Sequence, residues 1–120
     1  MIDHIGFEVT DLGRSARFYD AVCHALGLRR LHDSEHAVAW GREHPHLWIT
    51  ARARPQPGYG HVALRATGRR AVDAAYQAGL GAGGTDDGPP GPRPRYGPAY
   101  YAAYLVDPDG LRVEVVAPGY

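Results

Sequence analysis

From Ile2 to Thr10 the chain alternates, with Ile5, Phe7 and Val9 on one side and His4, Gly6 and Glu8 on the other. A period of two marks a strand. The period then lengthens. Leu12, Ala16, Tyr19, Val22, Cys23 and Leu26 recur at helical spacing, with Arg14, Arg17 and Asp20 between them. Thr10 or Asp11 stands where an N-cap belongs, and Gly27 closes the run. Shorter alternating pieces follow at Leu28–His32, His36–Trp40 and His46–Ala51, separated by Asp33-Ser34-Glu35 and by Gly41–Pro45. Arg52–Gly58, carrying Pro55 and Pro57, reads as a linker.

The second half repeats this order. Tyr59–Ala66 predicts a strand and Thr67–Ala78 a helix, and Leu80–Gly84 is a short glycine-rich piece. Thr85–Pro98 holds five of the ten prolines, a density that predicts a loop rather than a ladder strand. Two strands close the chain, Tyr100–Val106 and Leu111–Val116, joined by an Asp107-Pro108-Asp109-Gly110 turn. Alternation puts Leu111, Val113 and Val115 on one face and Arg112, Glu114 and Val116 on the other. Glu114 is thus a carboxylate in the middle of an otherwise apolar strand.

The repeat extends to single residues. Asp3-His4-Ile5-Gly6-Phe7-Glu8-Val9 aligns with Gly60-His61-Val62-Ala63-Leu64-Arg65-Ala66, which makes His4 and His61 equivalent. Pro45–Ala51 corresponds to Leu111–Ala117, which sets Glu114 opposite Trp48. The expectation is one α+β domain over residues 1–120, built of a strand–helix–three-strand module at 1–54 and a second at 59–120. Each module is too small to bury a sheet face alone, so the two should pair. Pairing of equivalent faces would put His4, His61 and Glu114 on a common inner surface, with Trp48 in the fourth slot. Two imidazoles and a carboxylate make a facial set for a divalent metal, with positions left open for water or substrate.

Composition removes several alternatives. Thirteen basic and thirteen acidic residues cancel, which leaves no electrostatic footprint for nucleic acid or an acidic membrane. All the basic residues are arginine, so a lysine Schiff base is excluded. Cys23 is the single cysteine and reads as a small core residue. No window has the apolar length of a membrane span, and the start shows no signal-peptide pattern, so a cytoplasmic location is expected.

Three blocks then carry a resemblance: Asp3–Leu12 with Phe18-Tyr19, Gly60–Leu64, and Asp107–Gly110 followed by Val113-Glu114. With these the chain resembles the vicinal oxygen chelate superfamily, which includes glyoxalase I, extradiol dioxygenases, fosfomycin-resistance transferases and bleomycin-resistance proteins. The resemblance implies paired βαβββ modules with a sheet curved around a central cavity, usually in a homodimer. His4, His61 and Glu114 match three family ligand positions, for Fe(II), Mn(II), Ni(II) or Zn(II). Glyoxalase I-like members carry a second carboxylate where this chain has Trp48, so isomerase chemistry would lack its base.

Other residues bear on the cavity. Trp48, Tyr100, Tyr101 and Arg112 are candidate pocket residues, although Tyr101 alternates away from Tyr100 and Tyr104. His44 and His46 form a weaker metal alternative beside Pro45. Two functions follow. The leading one is a small metal-dependent enzyme, dioxygenase-like or lyase-like, acting on a small molecule that chelates through two oxygens. The alternative is a metal-free protein that sequesters a small molecule, as bleomycin-resistance relatives do.

Overall fold

The computed structural model describes residues 2–51 and 61–120. Met1, the Arg52–Gly58 linker and Tyr59-Gly60 lie outside the described residues. Ile5–Val9 forms β1, and Asp11 caps α1 (Leu12–Ala25), its carboxylate accepting from the Arg14 backbone N–H at 3.0 Å. That bond satisfies one of the N–H groups a helix start leaves open. β2 (Arg29–Asp33), β3 (Ala37–Gly41) and β4 (Pro45–Ala51) complete the first module. The second runs β5 (His61–Arg65), α2 (Arg69–Gly81), β6 (Thr85–Pro92), β7 (Tyr101–Val106) and β8 (Arg112–Ala117).

Each module folds into a four-stranded mixed sheet, ordered β1-β4-β3-β2 and β5-β8-β7-β6. β1 runs parallel to β4 and β5 parallel to β8, the helix making the crossover; the other pairs are antiparallel. The registers are equivalent too. Gly6 pairs with Trp48, and Ala63 pairs with Glu114. Gly6 lies two residues past His4 and Ala63 two past His61, so Trp48 and Glu114 occupy the same slot of their modules.

One stretch differs from the sequence reading. The first part of the proline-rich segment Thr85–Pro98 is strand, since β6 spans Thr85–Pro92. β6 is an edge strand bonded to β7 alone, and its register shifts between Asp86 and Gly88 and again before Gly91. An edge strand needs donors on one side only, and bulges release others, so prolines are tolerated there.

α1 lies against the first sheet, α2 against the second, and the two helices against each other. One core cluster runs through this junction, joining Phe18 and Val22 of α1, Val72 and Ala75 of α2, and Ile49, Val113 and Val115 from the sheets. The approach is close at Gly79, where a Cβ would come within 2.7 Å of Leu105 and 3.0 Å of Val22. Cys23 is wholly buried, and burial pushes its thiol up to about 12, as befits a packing residue.

The Asp107–Gly110 turn ties the modules together. Asp107 accepts the backbone N–H groups of Asp109 and Leu111 on Oδ1, and the Tyr19 hydroxyl donates to its Oδ2 at 2.7 Å. Asp109 accepts the Thr10 hydroxyl at 2.6 Å and the Ser15 hydroxyl at 3.1 Å. Gly110 closes the turn with φ of 92°, a conformation that costs glycine little.

Burial raises the Asp107 carboxyl above its usual range, opposed by the bonds it accepts from Tyr19, Leu111 and Asp109. A raised native value means that the stabilisation linked to protonation is present below the ordinary carboxylate range and is lost as pH rises through the native value. The stability of wild type relative to Asp107→Asn should therefore fall over that window, as read from denaturant midpoints measured across acidic pH. Tyr19→Phe leaves a buried carboxylate oxygen without its donor and should lower stability by about 1–3 kcal/mol in the same experiment.

Candidate functional site

Helix packing covers one face of each sheet and leaves the other free of helix. On the second sheet, Val113 and Val115 of β8 enter the core, so Glu114 between them turns to the helix-free face. It is buried all the same, 3% exposed, because neighbouring strands cover it. β5 supplies His61, whose Nε2 lies 3.0 Å from Glu114 Oε1. The segment before β7 supplies Tyr100, whose hydroxyl donates to Glu114 Oε2 at 2.5 Å. β7 supplies Tyr104, paired with Glu114 in the ladder and set edge-on to the His61 ring at 6.4 Å. The carboxylate side chain is 4% exposed and the imidazole 41%, so solvent or a ligand reaches this pair through the histidine.

Burial, reinforced by the bond to the Glu114 carboxylate, holds the Tyr100 phenol well above its usual range. Tyr100 is therefore a protonated donor at neutral pH. It fixes one oxygen of Glu114 and leaves the other turned to His61.

His61 and Glu114 are thus brought together, and His4 is not brought to them. His4 lies just before β1 on the other sheet, exposed, with Nδ1 2.8 Å from Asp3 Oδ1. His46 Nδ1 lies 2.8 Å from the Asp3 backbone carbonyl. Among the described residues, no three His, Cys, Asp or Glu side chains gather closely enough to hold a metal ion. The expectation of a common inner surface for the triad is thus not met inside one chain. The physical reason is the helix junction, which joins the modules through α1 and α2.

The remaining candidates divide between faces. Trp48 is half-buried on the first sheet, with the His32 ring 4.9 Å away. Tyr101 packs against the main core and donates to Asp73 of α2 at 2.7 Å, so it sits on the helix side of β7. Tyr100 and Arg112 lie on the face of Glu114, the Arg112 guanidinium 4.3 Å from the Tyr104 ring centre.

The same face carries residues of the turn that follows β6. Arg93, Arg95 and Tyr96 line a cleft with Asp87, Tyr104 and Arg112. The available signal was the run Arg93-Pro94-Arg95-Tyr96, two cations and an aromatic held by proline.

A metal fits two of the required donors. Bonds of roughly 2.0–2.2 Å to a nitrogen and an oxygen at right angles set those atoms about 3 Å apart, the separation found between His61 Nε2 and Glu114 Oε1. A neutral imidazole and a carboxylate suit the divalent ions from Mn(II) to Zn(II).

Comparison with known proteins agrees with this fold. Residues 1–115 match the family model described as the Glyoxalase/Bleomycin resistance protein/Dioxygenase superfamily. A glyoxalase/bleomycin resistance protein from Albidiferax ferrireducens T118 is 30% identical, with 97% of each chain covered and a TM-score of 0.83. A glyoxalase-related enzyme from Fulvimarina pelagi is 20% identical over 97% of this chain and 86% of its own, with a TM-score of 0.76. A family enzyme from Burkholderia phytofirmans PsJN is 16% identical over 95% of each chain, with a TM-score of 0.75. No curated protein matches the chain.

Tyr100→Phe removes the donor to Glu114 Oε2 and leaves that oxygen buried. Stability should fall by about 1–3 kcal/mol, whereas Tyr101→Phe, whose bond to Asp73 is exposed, should cost less than about 1 kcal/mol. Thermal melts of the two variants side by side would check the ordering.

Proposed function

Because the chain belongs to the glyoxalase/bleomycin resistance/dioxygenase superfamily, we propose that it is a small divalent-metal-dependent enzyme acting on a small molecule that chelates through two oxygens. The observation that carries this reading is the buried Glu114 carboxylate 3.0 Å from the exposed His61 imidazole on a helix-free sheet face. The working unit is a homodimer, in which His4 of a second copy completes the donor set. His4 is exposed, holds the place in its module that His61 holds in the other, and among the described residues joins no group of three His, Cys, Asp or Glu side chains in its own chain.

His61 and Glu114 would hold the ion, and Tyr100 keeps the carboxylate oriented by donating to its second oxygen. When bound, the metal supplies Lewis-acid chemistry toward two substrate oxygens or, as Fe(II), dioxygen chemistry. Tyr100 and Tyr104 shield the carboxylate from water on the sheet side. Trp48 stands in the slot equivalent to Glu114 and cannot move a proton, so the glyoxalase I isomerisation lacks its second acid. Dioxygenase-like or lyase-like chemistry suits the residues better.

A second reading rests on a separate observation. Both oxygens of Glu114 already have partners, and no buried side-chain polar atom among the described residues is left unpaired. A metal-free protein that sequesters a small molecule would need nothing more.

Elemental analysis and metal titration separate the two. The first reading expects wild-type protein to hold about one ion per chain, with His4→Ala, His61→Ala and Glu114→Gln each weakening binding by at least about tenfold. A site shared between copies makes a sharper demand: mixing His4→Ala with Glu114→Gln chains rebuilds one intact site in each mixed dimer and restores part of the lost capacity. Restoration in the mixture excludes a site within one chain. Wild-type protein that takes up none of Mn(II), Fe(II), Ni(II) or Zn(II) would overturn the enzyme reading and leave the sequestering one.

A further inference from the structure

Beside the His61–Glu114 pair the same sheet face opens into a cleft of about 440 Å³, a size that takes a small organic molecule. Its charge is uneven. Arg93, Arg95 and Arg112 line it against one carboxylate, Asp87. Asp87 lies 2.5 Å from Arg112 Nε and compensates that guanidinium. Arg93 donates to the backbone carbonyls of Pro89 and Pro92, and Arg95 to the Tyr96 hydroxyl. Among the described residues neither of these arginines pairs with a carboxylate, so two cations face the cleft uncompensated.

The aromatic rings fix where the cations stand. Arg93 and Arg112 lie over the Tyr104 ring, at 5.7 and 4.3 Å from its centre, and Arg95 lies over Tyr96 at 5.4 Å. Cation–π contacts of this kind hold a guanidinium by its face, and of its five N–H donors those that Arg93 does not give to Pro89 and Pro92, and Arg95 to Tyr96, remain for a ligand. The turn that presents them is closed by the Arg93 N–H to the Tyr100 carbonyl at 2.8 Å and by the Tyr96 N–H to the Arg93 carbonyl at 3.0 Å. Pro94 and Pro98 stiffen it further. The site is therefore set before any ligand arrives, which lowers the ordering cost of binding.

We propose that this cleft selects an aromatic carboxylate: Arg93 and Arg95 take the carboxylate, and the ring packs on Tyr96, which lines the cleft and is 55% exposed. An arginine fork matches a carboxylate through two parallel bonds, and an aromatic wall favours a planar body. Tyr104 touches both the cleft and His61, and Arg112 is two residues from Glu114 on one face, so the far end of such a molecule points toward the donor pair. The proposal rests on the metal-site reading for that direction alone; the carboxylate grip stands without it.

The test uses full-length protein with EDTA present, so that no metal takes part. Benzoate, benzamide and inorganic phosphate are titrated by calorimetry and by the shifts of tyrosine ring resonances. Benzoate should bind with millimolar affinity or better, benzamide at least about tenfold more weakly. Raising the salt should weaken benzoate, since the grip is ionic. Arg93→Gln with Arg95→Gln should lower benzoate affinity by at least about tenfold. Both arginines lie at the surface of a turn, so the double variant should fold, and a circular dichroism spectrum confirms it. Equal binding of benzoate and benzamide, undiminished binding in the double variant, or phosphate binding as tightly as benzoate would overturn the proposal. His61→Ala and Glu114→Gln should still bind benzoate. A protein that binds benzoate in this way and takes up no metal would sink the metal reading and keep this one.

Discussion

The fold depends on a single acidic turn. Asp107 and Asp109 sit at the tip of the β7–β8 hairpin, and their side chains bond across to Thr10 just before α1 and to Ser15 and Tyr19 within it. Partners in sequence are 88 to 99 residues apart, so the bonds tie the two modules to each other directly. Asp107 is buried, where a polar group left without its hydrogen-bond partners is costly. The hairpin that carries Glu114 is thereby held against the helix of the other module. The position of the candidate donor thus follows from a turn that ends four residues before it.

Much of this could be read from residues in order, and the rest fails for identifiable reasons. The repeat and its register were legible because strands alternate strictly and each one-residue slip would invert a buried face; the equivalence of Trp48 and Glu114 followed from that. The strand at Thr85–Pro92 was hidden because proline density argues against a ladder in general, and only the topology reveals that β6 is an edge. The face carrying Glu114 was legible, but which helix-free faces meet was not. That depends on how Phe18, Val22 and Gly79 fit together at the helix junction, and no local pattern encodes it.

The two modules have diverged on their helix-free faces while keeping the same frame. On the first, the fourth slot holds Trp48, backed by His32. On the second it holds Glu114, with His61, Tyr100 and the arginine-lined cleft around it. A symmetric duplication would present two like half-sites. This one presents a tryptophan slot on one module and a carboxylate slot on the other.

Charge links the two proposals. The chain has no net charge, yet three arginines line the cleft beside the proposed donor pair against one carboxylate. Uncompensated guanidiniums repel a divalent cation, and at the effective dielectric near a protein surface such repulsion is on the order of 1 kcal/mol or more across a few ångströms. An anionic ligand in the cleft neutralises them and removes that penalty. Metal and carboxylate should then favour each other's binding, and by linkage the factor is the same in both directions. If both proposals hold, such coupling gives the arginines a purpose beyond the grip: a cation would be held most firmly with a carboxylate in the cleft, and the buried Glu114 would not have to supply all of its affinity.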